Sequence, residues 1–426
     1  MVTDAVMVIE SIRYADDMEL VLSRSQFVRW RTAIFAIFLA SGLSVATWAS
    51  RVPAIKQTLD IDNVQVGIML LIGGIASIVG LSLSSLITAR FGARGGMLGA
   101  ILVFATGIAL IGVGTDVAGS VPLVTAGLVL WGFGNGSVDV MMNVEGAAIE
   151  AQSSRTLLPL FHAFFSAGTV VGAGLGVVFI GAGWNVVTHL GVIAVVLALV
   201  AVVSFANVPK RNETGDSAQS PAHSSWRERI GVALSAWREP RTYALGVVML
   251  GMSFAEGGAN DWLALGVVEG HEAQQELGAL GLAVFSVSMT VVRVFGGPLV
   301  DRFGRVLVLR VLSLAAVAGL LLFILAPNLP LVFVGAALWG IGASLGFPLG
   351  MSAAGDDPAR AAARVSAAAT IGYVAFLAGP PLLGLVSEHI GLLNTLFILV
   401  VLVAASGFAS GAAKPLPGAN VGAGRH

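Results

Sequence analysis

The chain has 426 residues, 56% of them hydrophobic and 11% charged, and a net charge of −1. A soluble domain usually carries about 25% charged residues, so an ordinary soluble protein is excluded, and so weak a net charge points to neither nucleic acid nor an acidic partner. The absence of cysteine excludes disulfides, thiolate metal sites and thiol catalysis.

Residues 1–30 are polar and charged, with Asp4, Glu10, Arg13, Asp16, Asp17, Glu19, Arg24 and Arg29. A cleavable signal peptide needs a basic stretch running straight into an apolar core, so this segment reads as a retained N-terminal arm, with Met18 as a second candidate start. Twelve long apolar segments follow. They predict helices over 32–50, 65–88, 95–114, 121–144, 160–181, 187–207, 242–266, 277–300, 306–326, 331–352, 365–386 and 392–411. About 20 apolar residues in a helix match the hydrocarbon thickness of a bilayer. Lipid offers no hydrogen-bond partners, so each segment must pair its backbone internally. Asp62 and Gln65, three apart before the second helix, predict a capping box.

The expected organisation is a six-helix bundle over 31–207, a linker over 208–241, a second bundle over 242–411 and a tail over 412–426. Within the linker, Trp226, Ile230, Leu234 and Trp237 recur at helical spacing beside Arg227, Arg229 and Arg238, the pattern of a helix lying on a membrane surface. With twelve spans both termini lie on one side. Of the 23 Lys and Arg, all but Arg51, Lys56 and Arg293 fall in or beside segments on that side. Positive charge is retained in the cytoplasm, so the termini and linker are expected there, with Arg51 and Lys56 outside. A cysteine placed at Ser217 should therefore resist an impermeant thiol reagent added outside intact cells. Labelling of that cysteine would overturn this topology.

The second six helices repeat the first. Residues 130–136 (LWGFGNG) match 338–344 (LWGIGAS), Gly42-Leu43-Ser44 matches Gly251-Met252-Ser253, and Arg90-Phe91-Gly92 matches Arg302-Phe303-Gly304, all at nearly one offset. Parallel six-helix repeats put a solute cavity between the halves near the midplane. Between helices eight and nine stands Gly297-Pro298-Leu299-Val300-Asp301-Arg302-Phe303-Gly304-Arg305. Gly297 suits close packing and Gly304 a tight turn. Arg302 and Arg305 suit a cytoplasmic loop. The first-half copy keeps Arg90, Gly92 and Arg94 but has Ala89 where the second has Asp301, and Ser85 where it has Gly297.

Twelve repeated helices with this loop resemble the major facilitator superfamily (MFS) of transporters. The resemblance implies an all-α membrane protein of two pseudo-symmetric six-helix bundles. It also implies that the loop aspartate helps close the cytoplasmic side, so Asp301 is expected to dock on the start of helix five, around Leu157 to Phe161, when that side is closed. Ala89 cannot make the matching contact. Helix five lacks the Gly-Pro signature of the superfamily's drug antiporters. Trp48-Ala49-Ser50-Arg51-Val52-Pro53, Asp139-Val140-Met141-Met142-Asn143, Phe161-His162-Ala163, Glu256-Gly257 and Asp261-Trp262 are similar to a bacterial inner-membrane branch near the fucose-permease-like sugar:proton symporters. That resemblance implies a small polar solute and protons as the coupling ion.

A charge at a helix centre costs about 2.5–3.5 kcal/mol on insertion scales and so marks a functional or paired group. Glu256 lies halfway along helix seven, with Asn260 one turn later and Asp261 beyond. Gly257 and Gly258 follow the acid and predict a break. Glu256 is the first candidate for proton coupling; Asp139, Asp261 and His162 are the others. The alternative for Glu256 is a structural pair with Arg293, and Asp139 is a second possible partner for that arginine. Asn260, Arg293, Asn143, Trp48 and Phe347 are the cavity candidates, and Phe347-Pro348 predicts a kink in helix ten. Trp184 suits the interfacial belt, and Trp131 and Trp339 suit helix packing.

No nucleotide loop, metal-ligand cluster or catalytic constellation stands out, so neither cofactor nor enzyme activity is expected. The expected protein is a monomeric, multi-pass transporter of the bacterial inner (cytoplasmic) membrane. It would move a small polar solute, sugar-like or an organic acid, by proton-coupled alternating access (symport). The alternatives are a proton-linked exporter of hydrophobic compounds and a non-transporting receptor or scaffold of the same fold.

Overall fold

The structure, a computed structural model, describes residues 23–153, 157–210, 235–357 and 360–416. Residues 1–22 and the linker residues Trp226, Ile230 and Leu234 lie outside the described residues, as do Arg227 and Arg229. Every described regular element is helical.

The first helix, α1, is Arg24–Leu59. Asn63–Asp116 runs on as one helix except at Gly92, which divides it into α2 (63–91) and α3 (93–116). Then come α4 (Val121–Ala151), α5 (Leu158–Gly181) and α6 (Val186–Asn207). In the second half, α7 starts as Pro240–Gly258 and widens into π-helical turns at Ala259–Leu263 and Gly266–Gly270. It is followed by α8 (Gln275–Phe303) and α9 (Arg305–Leu325). Helix α10 has two parts, Leu329–Ala343 and Gly346–Ala354; α11 is Ala361–Ile390, and α12 joins Leu392–Thr395 to Phe397–Ala409. Among the described residues, ten stretches are long and apolar enough to span a membrane. One of them holds both α2 and α3, and the π-interrupted α7 completes twelve.

The helices outrun their apolar windows. Helix α1 has 36 residues, well beyond the predicted 32–50, because hydropathy sees only the part immersed in hydrocarbon. Beyond that part the helix continues on polar residues. Ser23 and Gln26 cap its start reciprocally. The capping box predicted at α2 forms, with Gln65 N donating to Asp62 Oδ1 at 2.7 Å and Asp62 N to Gln65 Oε1 at 3.0 Å.

Small residues set the crossings. A Cβ on Gly42 would overlap the Phe165 carbonyl, and one on Gly168 the Leu39 carbonyl, so α1 and α5 meet backbone to backbone. The two repeat-related turns share one backbone shape. Gly92 has φ 69° and ψ 160°, and Gly304 has φ 77° and ψ 156°, a region that only glycine enters without strain.

The two ends of the bundle differ. Lys56, Gln57 and Asn63 lie at the end away from the termini, as do Glu269, Gln275 and Glu388. There Lys56 Nζ pairs with Glu269 at 2.6 Å, Gln275 Nε2 donates to Gln57 Oε1 at 2.7 Å, and Asn63 N donates to Glu388 Oε1 at 2.7 Å. Each contact joins the first six helices to the last six. The third is a carboxylate on a helix N-terminus, an attraction of about 0.3–1 kcal/mol. At the terminus-bearing end, Asp356 takes Arg241 and Arg305, while Glu239 takes Arg364 and Arg360, all within the last six helices. The hydrogen bond from Arg364 above all, helped by Arg360, holds the Glu239 carboxyl below its ordinary value against the opposing effect of burial. The bundle is thus sealed across its halves at the far end.

Arg51, expected on the outer side, is held inside the bundle there. It is 2% exposed, inside α1, and its Nε donates to His189 Nδ1 of α6 at 2.8 Å. An imidazole nitrogen accepting this bond, with Asp116 of α3 in electrostatic reach, partly compensates a buried guanidinium whose Nη2 has no hydrogen-bond partner among the described residues.

Candidate functional site

Glu256 sits mid-way along α7, one turn before the helix widens. Gly257 and Gly258 do not break the helix. The backbone stays helical and relaxes into π turns from Ala259, a geometry frequent at functional sites. Arg293 of α8 donates through Nη2 to both Glu256 oxygens at 2.8 Å, a charge-assisted fork on one nitrogen. The two side chains, Arg293 and Glu256, are 19% and 16% exposed, so the pair is largely withdrawn from water.

The remaining nitrogens of Arg293 are also engaged. Its Nε donates to the Ser344 carbonyl at 3.0 Å. That carbonyl is free for a reason written in the sequence. In a regular helix it would accept from residue 348, and Pro348 has no N–H. Helix α10 accordingly breaks between Ala343 and Gly346, just ahead of the predicted Phe347-Pro348 kink. Arg293 Nη1 donates to Ser166 Oγ of α5 at 3.3 Å, and Thr290 Oγ1 reaches the Ser166 carbonyl at 3.3 Å. The pair therefore touches both halves.

Asp139 and Asn143 come from α4. Asn143 Nδ2 donates to the Asp139 carbonyl at 2.8 Å and lies 3.4 Å from its Oδ1. Arg293 is committed to Glu256 rather than to Asp139, because its Nη2 satisfies both Glu256 oxygens at once. Among the described residues Asp139 has no basic partner, and Tyr373 of α11 lies within its electrostatic reach. His162 is exposed near the start of α5, edge-on to Phe38 at 5.3 Å and within electrostatic reach of Arg293. Asn260 is half-buried on the π turn. Asp261 lies apart, in a small cleft against Phe376, Gly379 and Pro380. Phe347 is half-buried with its ring 5.6 Å from Tyr373. Trp48 does not face an open cavity. It is 3% exposed at the sealed end.

Ser41, Ser44 and Asn135, neighbours of the site, were not singled out in the sequence. Ser41 Oγ donates to Asn135 Oδ1 at 2.6 Å, and Trp131 Nε1 to Ser44 Oγ at 3.3 Å. Asn135, Asp139 and Asn143 stand four apart on one face of α4, a spacing that would have added Asn135. Trp339 has the packing role expected of it, its Nε1 donating to the Ala255 carbonyl at 2.9 Å. Trp184 stacks on Phe179 at 4.4 Å beside the α5–α6 turn.

A model of the Major Facilitator Superfamily matches residues 32–380 and 273–422. The chain belongs to the Major Facilitator Superfamily. It is 29% identical over 381 residues to the "uncharacterized transporter y4wD" of Sinorhizobium fredii, covering 88% of this chain and 95% of that one. Its fold is that of the nucleoside transporter NupG, with a TM-score of 0.67 at 15% identity over 92% of this chain and 100% of that one. It is also that of the MFS transporter FucP in its outward conformation, with a TM-score of 0.63 at 15% identity over 92% and 100% of the two chains. The chain is a multi-pass membrane transporter of the MFS, and family and fold point away from an enzyme.

The MFS loop motif takes an arrangement the sequence did not suggest. Asp301 is exposed and does not dock on α5. The N–H groups of Leu157 and Leu158 donate instead to Glu150 Oε2 at 2.5 and 2.7 Å. Glu150 belongs to α4, the preceding helix, and is only seven residues from the first of those donors. With the halves joined at the opposite end, the site expected for Asp301 holds a carboxylate already. Gly297 is not a close contact, since nothing lies within 4 Å of where its Cβ would be. That role falls to Gly296, whose Cβ would come 2.5 Å from Leu345 Cδ1. Arg305 folds back on Asp356 at 2.7 Å, Arg302 and Arg90 lie over the rings of Phe303 and Phe91, and Arg94 lies over Phe205 at 3.9 Å.

Proposed function

We propose that this MFS protein is a proton-coupled secondary transporter of a small, neutral, polar solute, held here in its inward-open state. The reading takes the bundles as 31–207 and 242–411, with both termini and the 208–241 linker on the cytoplasmic side of a bacterial inner membrane. The seal at Lys56–Glu269, Gln57–Gln275 and Asn63–Glu388 is then the closed outer gate. The open end would admit solute from the cytoplasm towards Asp139, Asn143 and His162.

The observation that carries the reading is the Glu256–Arg293 pair bridging to Ser166. A charged pair inside the membrane that spans the two halves is a natural register for alternating access. Its full engagement also bears on the solute. Arg293 spends Nε, Nη1 and Nη2 on Ser344, Ser166 and Glu256, so an organic anion would have to displace Glu256. Asp139 adds a carboxylate rather than a cation. A neutral solute that hydrogen-bonds to Asn135, Asn143 and Asn260 and stacks on Phe347 fits better than an acid. NupG is described as a nucleoside transporter and FucP as a fucose:proton symporter. At 15–16% identity those likenesses bear on fold, and the solute class rests on the charges.

Counterflow in proteoliposomes tests the proposal, with labelled hexoses, polyols, nucleosides, organic anions and a hydrophobic cation. Exchange of a neutral polar solute, driven uphill by an imposed pH gradient, is expected. Exchange confined to anions or to the hydrophobic cation would overturn the solute class. No exchange across the panel would favour a receptor or scaffold.

A further inference from the structure

The first half carries a groove at positions that Arg241 and Leu245 fill in the second half. It runs between α1 and α6 on the outer wall of the bundle, with a volume of about 430 Å³. Away from the terminus-bearing end it is lined by Ala33, Ala36, Val196, Leu199, Val200 and Val203, with Leu199 and Val203 on its exposed side. Arg29, Thr32, Ser204 and Asn207 line it at the terminus-bearing end. The stretch from Val196 to Asn207 rises about 16 Å along α6, close to the depth of one leaflet of a bilayer whose core is about 30 Å thick.

The repeat explains why the groove exists. The offset that aligns Gly42 with Gly251 aligns Thr32 with Arg241 and Ala36 with Leu245. In the second half Arg241 bridges α7 to the end of α12, donating to the Ala412 carbonyl at 2.9 Å and the Lys414 carbonyl at 3.0 Å, and also to Asp356. Leu245 is buried behind it. In the first half, threonine is too short to bridge and alanine too small to fill. Arg29, at the rim, is exposed and has no partner among the described residues.

We propose that this groove is a binding site for one anionic phospholipid, with the phosphate on Arg29 and an acyl chain lying between Ala33 and Ala36 of α1 and the apolar run Val196, Leu199, Val200 and Val203 of α6. An apolar channel as long as one leaflet is deep matches a chain, and Arg29 at its mouth, without a partner among the described residues, matches an anionic headgroup. The site lies on the lipid-facing wall, away from Glu256 and Arg293, so it does not depend on the transport reading. Only its assignment to the cytoplasmic leaflet does.

Native mass spectrometry of the full chain, titrated with phosphatidylglycerol or phosphatidylcholine, tests this. The protein should retain one phosphatidylglycerol in preference to phosphatidylcholine. Arg29→Gln should weaken that binding about fivefold, the effect of one basic residue near a membrane surface, and bring it to the phosphatidylcholine level. Thr32→Arg with Ala36→Leu, which copies the second half, should remove the retained lipid. Arg238→Gln, at the repeat position of Arg29, should leave it unchanged. Arg29→Gln is a surface change and tests the headgroup contact even if the filled variant does not fold. Unchanged lipid retention in either groove variant would overturn the proposal, including the case where residues 1–22 or 211–234 of the chain fill the groove instead.

Discussion

Arg293→Ala is expected to be the most damaging single substitution in the membrane interior. It would strand Glu256, whose two oxygens both accept from Arg293, as an unpaired carboxylate. Breaking a buried pair from one side typically costs about 3–5 kcal/mol, whereas replacing both partners with apolar residues is often neutral. The variant would also leave the Ser344 carbonyl without its donor at the α10 break. A sharp loss of thermal stability in detergent should follow. Glu256→Met with Arg293→Met should recover most of that stability, and the cycle of single and double variants isolates the coupling. Transport should not return in the double variant if the pair sets the register of the halves. Wild-type stability in Arg293→Ala would dismiss the pair as a structural element. Wild-type transport in the double variant would reduce it to packing.

The twelve spans were readable because membrane insertion imposes one strong rule, a long apolar run. The same rule leaves the surroundings of Arg51 open. Hydropathy puts it just past the first apolar run on the outer side, and the fold buries it there on His189, 138 residues away in the chain. A pairing at that separation leaves no local pattern. Pro348 shows the opposite case. A proline predicts a bend, and its missing N–H also predicts a free carbonyl four residues earlier, at Ser344. Only the fold reveals that Arg293 fills it. Asp301 is a third case, because its docking on α5 is expected only when the cytoplasmic side is closed. A loop carboxylate that docks in one state is free in the other, and sequence alone carries no conformational state. Glu150, seven residues before Leu157, offered a nearer acid for the start of α5. The α4 stripe was half legible, because Asp139 and Asn143 stood out as polar residues while the more ordinary Asn135 did not.

The last expected result separates the two leading acids. On sequence Glu256 is the first candidate for proton coupling, since it lies mid-way along α7 beside two glycines. Its charge is already compensated by Arg293, so protonating it would leave that guanidinium unbalanced in a poorly hydrated site. Asp139 is different. It has no basic partner among the described residues, it lies on the polar face of α4 with Asn135 and Asn143, and Tyr373 of the other half is within its electrostatic reach. Taking up a proton there removes a charge that nothing nearby balances, which eases closure of the halves around it. Asp139→Asn should therefore abolish uphill accumulation driven by a pH gradient while preserving counterflow, because asparagine keeps the shape and the neutral state. Glu256→Gln should instead depress both activities together. Undiminished accumulation in Asp139→Asn, or its selective loss in Glu256→Gln, would return the coupling role to Glu256.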